Sequence, residues 1–153
     1  MGWFHRHDRL MYAMAARVAL VALAIGNGAT GLLARLSPKT FYDGFPFGRG
    51  WVAADGPYNE HLVTDFGAAL LAIAALCLVG VWKPTREVVI AAAVVNIVLG
   101  VLHIVYHAGV ADLMGTTDNI LSFTSIGLGI VLGLMLFPLS RGLPAARVDA
   151  AVR

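Results

Sequence analysis

The chain has 153 residues, of which 59% are hydrophobic and 13% are charged, and its formal net charge at pH 7 is +2. This composition lies outside that of ordinary soluble domains and indicates a bilayer as the solvent. The basic residues form no cluster of the kind that binds nucleic acid, so we expect no nucleic-acid partner.

Four apolar stretches are long enough to cross a hydrocarbon core about 30 Å thick. They span residues 11–33, 63–82, 88–108 and 120–139, and a polar tail occupies residues 140–153. The sequence therefore predicts one all-α domain over residues 1–153, an integral membrane bundle of four helices. The first stretch is too long for a cleaved signal and lacks a clear A-x-A site, so we expect it to remain in the mature protein.

The positions of Lys and Arg predict how the bundle lies in the membrane. Three basic residues, Arg35, Lys39 and Arg49, flank the helices on the side of the first loop. Eight lie on the side of the termini: Arg6, Arg9, Arg17, Lys83, Arg86, Arg141, Arg147 and Arg153. Because cytoplasmic segments carry the excess of Lys and Arg, we expect a multi-pass protein of the cytoplasmic membrane with both termini in the cytoplasm.

The first stretch contains "GNGATG" at residues 26–31, which fits the G-x-G-x-x-G pattern of dinucleotide sites. That pattern needs a preceding strand and a following helix start, and both are missing here. In an apolar helix, small residues instead let a neighbouring helix approach closely. We expect this role for Gly26, Gly28 and Gly31, and for Gly129 and Gly133 in the fourth stretch, which also offer a surface for a homo-oligomer or a larger membrane complex.

The first loop, residues 34–60, is the only long connection and combines Pro and Gly turn signals with aromatic side chains. Its six aromatic residues are Phe41, Tyr42, Phe45, Phe47, Trp51 and Tyr58. This density predicts a folded, aromatic-rich extracytoplasmic cap anchored at the headgroup level. The alternative interpretation is a lid over a site beneath it.

Three further positions predict local structure. Thr85, ahead of an apolar run, predicts the start of the third helix, and Asp118 or Asn119 is expected to cap the fourth. Cys77, the one cysteine, lies in the middle of the second stretch. It excludes an intramolecular disulfide and a Cys-based metal centre, and we expect it to be a core residue.

Two histidines stand at the end of the third stretch, in "VLHIVYHAGV". His103 and His107 are four residues apart and continue a polar or small seam from Asn96 and Gly100 that predicts an inward-facing stripe. Imidazoles buried in hydrocarbon need partners, since their burial otherwise costs several kcal/mol.

The start of the second stretch, "YNEHLVTDFG", offers such partners. His61 and Asp65 are also four residues apart. Antiparallel neighbouring helices would set His61 level with His107 and Asp65 level with His103, so the sequence predicts one polar site near the outer leaflet.

Three hypotheses account for this cluster. The first is a Zn²⁺, Fe²⁺ or Cu²⁺ ion bound by His61, Asp65, His103 and His107, which would also serve redox chemistry. Glu60 or Asp112 would be an outer ligand or a hydrogen-bond partner of the ligands. The second is a haem with His61, His103 or His107 as its axial ligand, or a quinone to which one of these histidines donates a hydrogen bond, with further contacts from Asn27, Asn96, Tyr106 and Ser122. The third is a structural network, with Asp65 paired to His103, in a subunit of a membrane complex. No residue pattern identifies a substrate or a reaction.

The segment "FYDGFPFGRGWVAADGPYNEHLVTDFGAALLAIAAL" and the histidine-bearing helix after it resemble a group of small four-helix membrane proteins of actinobacteria, loosely related to the DoxX-like family. The resemblance covers most of residues 10–138, and "YNEHLVTDFGA" is its specific part. It implies a four-helix bundle in the cytoplasmic membrane, and some relatives are tied to thiol or quinone redox chemistry. A single mid-membrane cysteine argues against a dithiol mechanism.

Overall fold

The computed structural model describes residues 2–146, with side chains from residue 9 onward, and this part of the chain is helical with no strand. The helices are α1 (Gly2–Leu36), α2 (Pro38–Gly44), α3 (Glu60–Trp82), α4 (Arg86–Gly109) and α5 (Thr116–Ser140), with a 3₁₀ turn at Ala111–Leu113. Residues 9–36 of α1 and the whole of α3, α4 and α5 are long and apolar enough to cross a membrane. This confirms the four predicted spans. Half of the predicted tail, residues 147–153, lies outside the described residues.

Glycines bring the backbones of α1 and α3 together. A Cβ atom on Gly67 would lie 2.7 Å from the backbone nitrogen of Arg35, and one on Gly31 would lie 2.9 Å from the carbonyl oxygen of Gly67. At such distances only the hydrogen atom of a glycine fits, and any side chain would clash. The predicted close approach at Gly31 is therefore confirmed. Gly28 makes an ordinary contact, 3.7 Å from Ala74 Cβ, and Gly26 has no described neighbour within 4 Å.

Glycines on α4 and α5 receive large side chains from the facing helix. A Cβ on Gly133 of α5 would lie 2.8 Å from Ile97 Cγ1, and one on Gly100 of α4 would lie 2.6 Å from Ile130 Cγ1. Gly133 is therefore used inside the bundle. Gly129 has no described atom within 4 Å, so it does not share that contact.

A polar link joins three of the helices in the core. Asn27 Nδ2 on α1 donates to Asn96 Oδ1 on α4 at 2.9 Å. Asn96 Nδ2 in turn donates to the Ala92 carbonyl at 2.8 Å and contacts Cys77 Sγ on α3 at 3.5 Å. Cys77 is fully buried, as expected of a core residue. Each amide thus finds a partner inside the bundle, which removes the cost of burying it.

The first of the expected helix starts is confirmed, and the second is wrong. Thr85 is the N-cap of α4, whereas α5 begins at Thr116 with Gly115 as its N-cap. The two residues that were expected to be the N-cap, Asp118 and Asn119, have other partners. Asp118 accepts hydrogen bonds from the first loop, and Asn119 Nδ2 donates to the carbonyls of the turn before α5.

The start of α1, the α3–α4 connection and the end of α5 lie at one end of the bundle. There Arg17 Nε donates to the Val81 carbonyl at 3.1 Å, and the Arg86 amide donates to the Pro144 carbonyl at 2.9 Å. The first contact satisfies a carbonyl in the last turn of α3, where helices lack internal partners. Residues 37–59, which we call the cap, lie at the opposite end. The cytoplasmic location of the termini stays a prediction.

Candidate functional site

Two histidine rings of α4 meet near the end of the bundle that the cap covers. His103 Nε2 and His107 Nε2 lie 3.0 Å apart, and the ring centroids are separated by 4.7 Å. The spacing of four residues puts both side chains on one helix face. Both side chains are half-buried, so the pair is partly shielded from the surroundings of the bundle.

A serine of α5 contacts the second ring nitrogen of one of these histidines. Ser122 Oγ lies 3.2 Å from His107 Nδ1, and Ser122 is 1% exposed. The Ser125 hydroxyl donates to the Ser122 carbonyl at 2.9 Å. His107 therefore has a polar contact at both ring nitrogens, and its ring orientation is set from α5 as well as from α4.

Aromatic side chains surround the pair. The ring of Phe66 on α3 stacks on His103 with centroids 6.5 Å apart, and Phe123 of α5 lies edge-on to His107, also at 6.5 Å. The Phe66 contact shows that the start of α3 lies beside the end of α4, as antiparallel neighbours require. The residue that faces His103 is Phe66 rather than Asp65.

The His61–Asp65 pair lies elsewhere on α3. These two side chains are 87% and 65% exposed, and His61 Nε2 is 3.3 Å from Asp65 Oδ2. Within residues 9–146, no group of three or more His, Cys, Asp or Glu side chains is placed to hold a metal ion. The predicted four-ligand centre is thus not assembled, and neither is the predicted Asp65–His103 pair.

The reason lies in which face of α3 is buried. The buried residues of α3 are Val63, Gly67, Leu70, Ala74, Cys77 and Gly80. At about 100° per residue, His61 and Asp65 fall on the other side of the helix. The close contact of Gly67 with α1 fixes this rotation.

The outer ligands of the metal hypothesis lie apart from the histidine pair. Glu60 is exposed at the start of α3, and Asp112 is exposed in the 3₁₀ turn.

Desolvation, reinforced by the nearby Glu60 carboxylate, raises the pKa of Tyr58 in the cap.

The four predicted cofactor contacts fall into two groups. Asn27 and Asn96 bind each other deeper in the bundle, since Asn96 precedes His103 by seven residues or about 10 Å of helix. Tyr106 is exposed and donates its hydroxyl hydrogen bond to Asp55 of the cap. Two of the four reach the histidine pair: Ser122 Oγ contacts His107 Nδ1, and the Tyr106 ring lies edge-on to the His107 ring with centroids 6.2 Å apart.

The cap is held onto α4 and α5 by polar contacts. Arg49 Nη1 lies 2.6 Å from Asp118 Oδ1, and Trp51 Nε1 donates to the same oxygen at 2.9 Å. The Tyr106–Asp55 hydrogen bond adds a contact with α4. Asp55 and Arg49 could not be predicted as contact residues from the sequence, because their partners are far away along the chain.

Apolar contacts give the cap a small core of its own with the neighbouring helix ends. Phe41, Ala34 and Val63 are buried together, and Phe45 and Phe66 pack against them. Phe41 and Phe45 have ring centroids 4.7 Å apart. The cap is therefore a folded element. It contacts Phe66, the residue that stacks on His103.

Comparisons of the chain with family models, curated proteins and solved structures gave no match. The resemblance to DoxX-like proteins accordingly stays a prediction.

Proposed function

We propose that this protein is a multi-pass protein of the cytoplasmic membrane that binds a transition-metal ion through His103 and His107. The observation that carries the proposal is the 3.0 Å separation of the two Nε2 atoms. The site is smaller than the four-ligand centre predicted from the sequence, because His61 and Asp65 lie outside it.

The separation suits two neighbouring ligands of one ion. Metal–imidazole bonds are about 2.0–2.1 Å long, so two nitrogens that subtend 90–109° at the ion lie about 2.9–3.4 Å apart. The pair falls within this range without rearrangement of the helix. Zn²⁺, Cu²⁺ and Fe²⁺ all accept imidazole nitrogen, and the distance does not select among them.

Ser122 supports the same function. Histidine ligands commonly donate their second ring N–H to an oxygen, which fixes the ring and its tautomer. With Nε2 on the ion, His107 Nδ1 would carry the proton and donate to Ser122 Oγ, at the observed 3.2 Å. Two protein ligands leave coordination positions open for water or a small ligand. Open positions suit the role that we propose, which is to bind a metal ion or to assist a redox reaction.

A structural role is the second candidate, and the same pair of atoms favours it. A nitrogen–nitrogen distance of 3.0 Å is also that of an ordinary hydrogen bond between two neutral imidazoles. Ser122, His107 and His103 would then form a chain of hydrogen bonds that joins α4 to α5. Under this hypothesis the protein is an assembly subunit of a membrane complex.

Metal titration of the detergent-purified protein separates the two functions. We expect the wild type to bind one equivalent of Cu²⁺ or Zn²⁺ against a chromophoric chelator. His103→Ala and His107→Ala should each lower the affinity at least about 100-fold, since loss of a supporting contact alone costs about 10–100-fold. His61→Ala is the matched control and should bind like the wild type, because His61 is exposed and lies outside the pair.

The structural function predicts a different outcome. The wild type would bind no equivalent of metal, while His103→Ala would lower the thermal midpoint of unfolding. Equal metal affinity of the wild type and the His103→Ala/His107→Ala double variant would also refute the metal site.

A further inference from the structure

A cavity of about 600 Å³ opens at the end of the bundle opposite the cap. Three cationic side chains from three parts of the chain line it: Arg9 of α1, Lys83 of the α3–α4 connection and Arg141 after α5. The lining contains no acidic residue among those that the structure describes. Three like charges around one cavity repel each other, so an anion that enters it relieves this repulsion.

The start of α4 adds polar groups to the same cavity. Thr85, the N-cap of α4, lines the cavity. A helix start carries a partial positive charge and favours anions. Glu87, in the first turn of α4, accepts a hydrogen bond from the Ala146 amide at 2.7 Å and is not part of the lining.

Apolar groups beside the cavity indicate what kind of anion fits. Leu10 lines the cavity and is 59% exposed, and Leu143 lines it from the segment after α5. Trp82, 71% exposed, lies next to it at the end of α3, with Lys83 Nζ 4.3 Å from the ring centroid. Exposed Trp and Leu at the ends of spanning helices are typical of the interface between water and lipid.

We infer that this cavity binds the phosphate group of an anionic phospholipid, with Arg9, Lys83 and Arg141 around the phosphate and the acyl chains along Leu10 and Trp82. A cavity of this volume is in the range of small-molecule sites. Free phosphate would use the cations but leave the apolar side of the cavity bare. The inference does not depend on the metal site, which lies at the other end of the bundle.

Native mass spectrometry of the detergent-purified full chain tests this site with phosphatidylglycerol, phosphatidylcholine and inorganic phosphate as probes. We expect one retained phosphatidylglycerol and weaker retention of phosphatidylcholine. Lys83→Gln/Arg141→Gln should weaken phosphatidylglycerol binding about 25-fold, or about fivefold for each cation near the headgroup. Lys39→Gln, at the opposite end, is the control and should leave retention unchanged.

A charge-conserving variant separates electrostatics from a loss of fold. Lys83→Arg/Arg141→Lys should retain phosphatidylglycerol like the wild type. Equal retention by the wild type and Lys83→Gln/Arg141→Gln would overturn the assignment, and so would equal retention of both lipids. Displacement of the lipid by millimolar inorganic phosphate would show a free-anion site and would also overturn it.

Discussion

His103 and His107 direct the same ring nitrogen, Nε2, at each other across 3.0 Å, one helical turn apart on α4. Each ring also contacts a second helix, since Phe66 of α3 stacks on His103 and Ser122 of α5 contacts His107. The pair is therefore positioned by three spanning helices. Small changes in their packing would alter the distance between the two nitrogens.

Ser122→Ala tests whether α5 orients the metal ligand. We expect the affinity for Cu²⁺ or Zn²⁺ to fall about tenfold, because the His107 ring loses the oxygen that fixes its tautomer. Ser125→Ala is the matched control, since the Ser125 hydroxyl donates to the backbone of Ser122 and not to a histidine. Chelator competition measures both variants, and equal affinities would rule out this role of Ser122.

The buried amides Asn27 and Asn96 should stabilise the bundle as a coupled pair. Asn96→Ala removes the acceptor of the 2.9 Å bond from Asn27, and we expect the free energy of unfolding to fall by about 1 kcal/mol. A double-mutant cycle with Asn27→Ala should give a coupling energy of about 0.6–1.7 kcal/mol. Strictly additive effects in the cycle would show that the bond contributes no stability.

Gly67→Ala should disrupt the contact between α1 and α3. The new methyl group would lie 2.7 Å from the backbone nitrogen of Arg35, and a backbone cannot move aside as a flexible side chain can. We expect a loss of about 1–3 kcal/mol of stability. Gly127→Ala provides the control, because no described atom lies within 4 Å of its Cβ position, and it should be neutral or stabilising by up to about 1 kcal/mol. Similar unfolding midpoints for the two variants would contradict this packing.

Asp118→Asn should loosen the cap without unfolding the bundle. The substitution removes the charge that pairs with Arg49, and since such partly exposed pairs contribute about 0–1 kcal/mol, global stability should change little. Amide hydrogen exchange in residues 45–57 should nevertheless become faster. Asp43→Asn is the control, because its partner Lys39 lies four residues away on α2 and both are exposed. Unchanged exchange in the Asp118→Asn variant would show that the Arg49–Asp118 pair does not hold the cap in place.

The spans could be predicted because length and hydropathy determine them almost alone. The inward-facing stripe of α4 could also be predicted. In the structure Asn96 and Gly100 are buried, and His103 and His107 are half-buried. These residues interrupt an otherwise apolar helix, so their spacing defines a face.

The rotation of α3 about its axis could not be predicted from the sequence in the same way. Nearly all of its residues beyond Asp65 are apolar, so hydropathy distinguishes its faces poorly. The shape of the helix decides the buried face instead, through Gly67 against Gly31. His61 and Asp65 follow this rotation outward, although their spacing resembles that of His103 and His107. Long-range contacts such as Arg49–Asp118 leave no periodic signal at all.

X-ray absorption at the metal edge of the Cu²⁺- or Zn²⁺-loaded protein tests the proposed centre most directly, because it counts the imidazoles bound to the ion. The proposed site predicts two imidazole nitrogens at about 2.0–2.1 Å, and the same count for His61→Ala. A spectrum without imidazole scattering, or one that loses an imidazole in the His61→Ala variant, would contradict a centre built from His103 and His107.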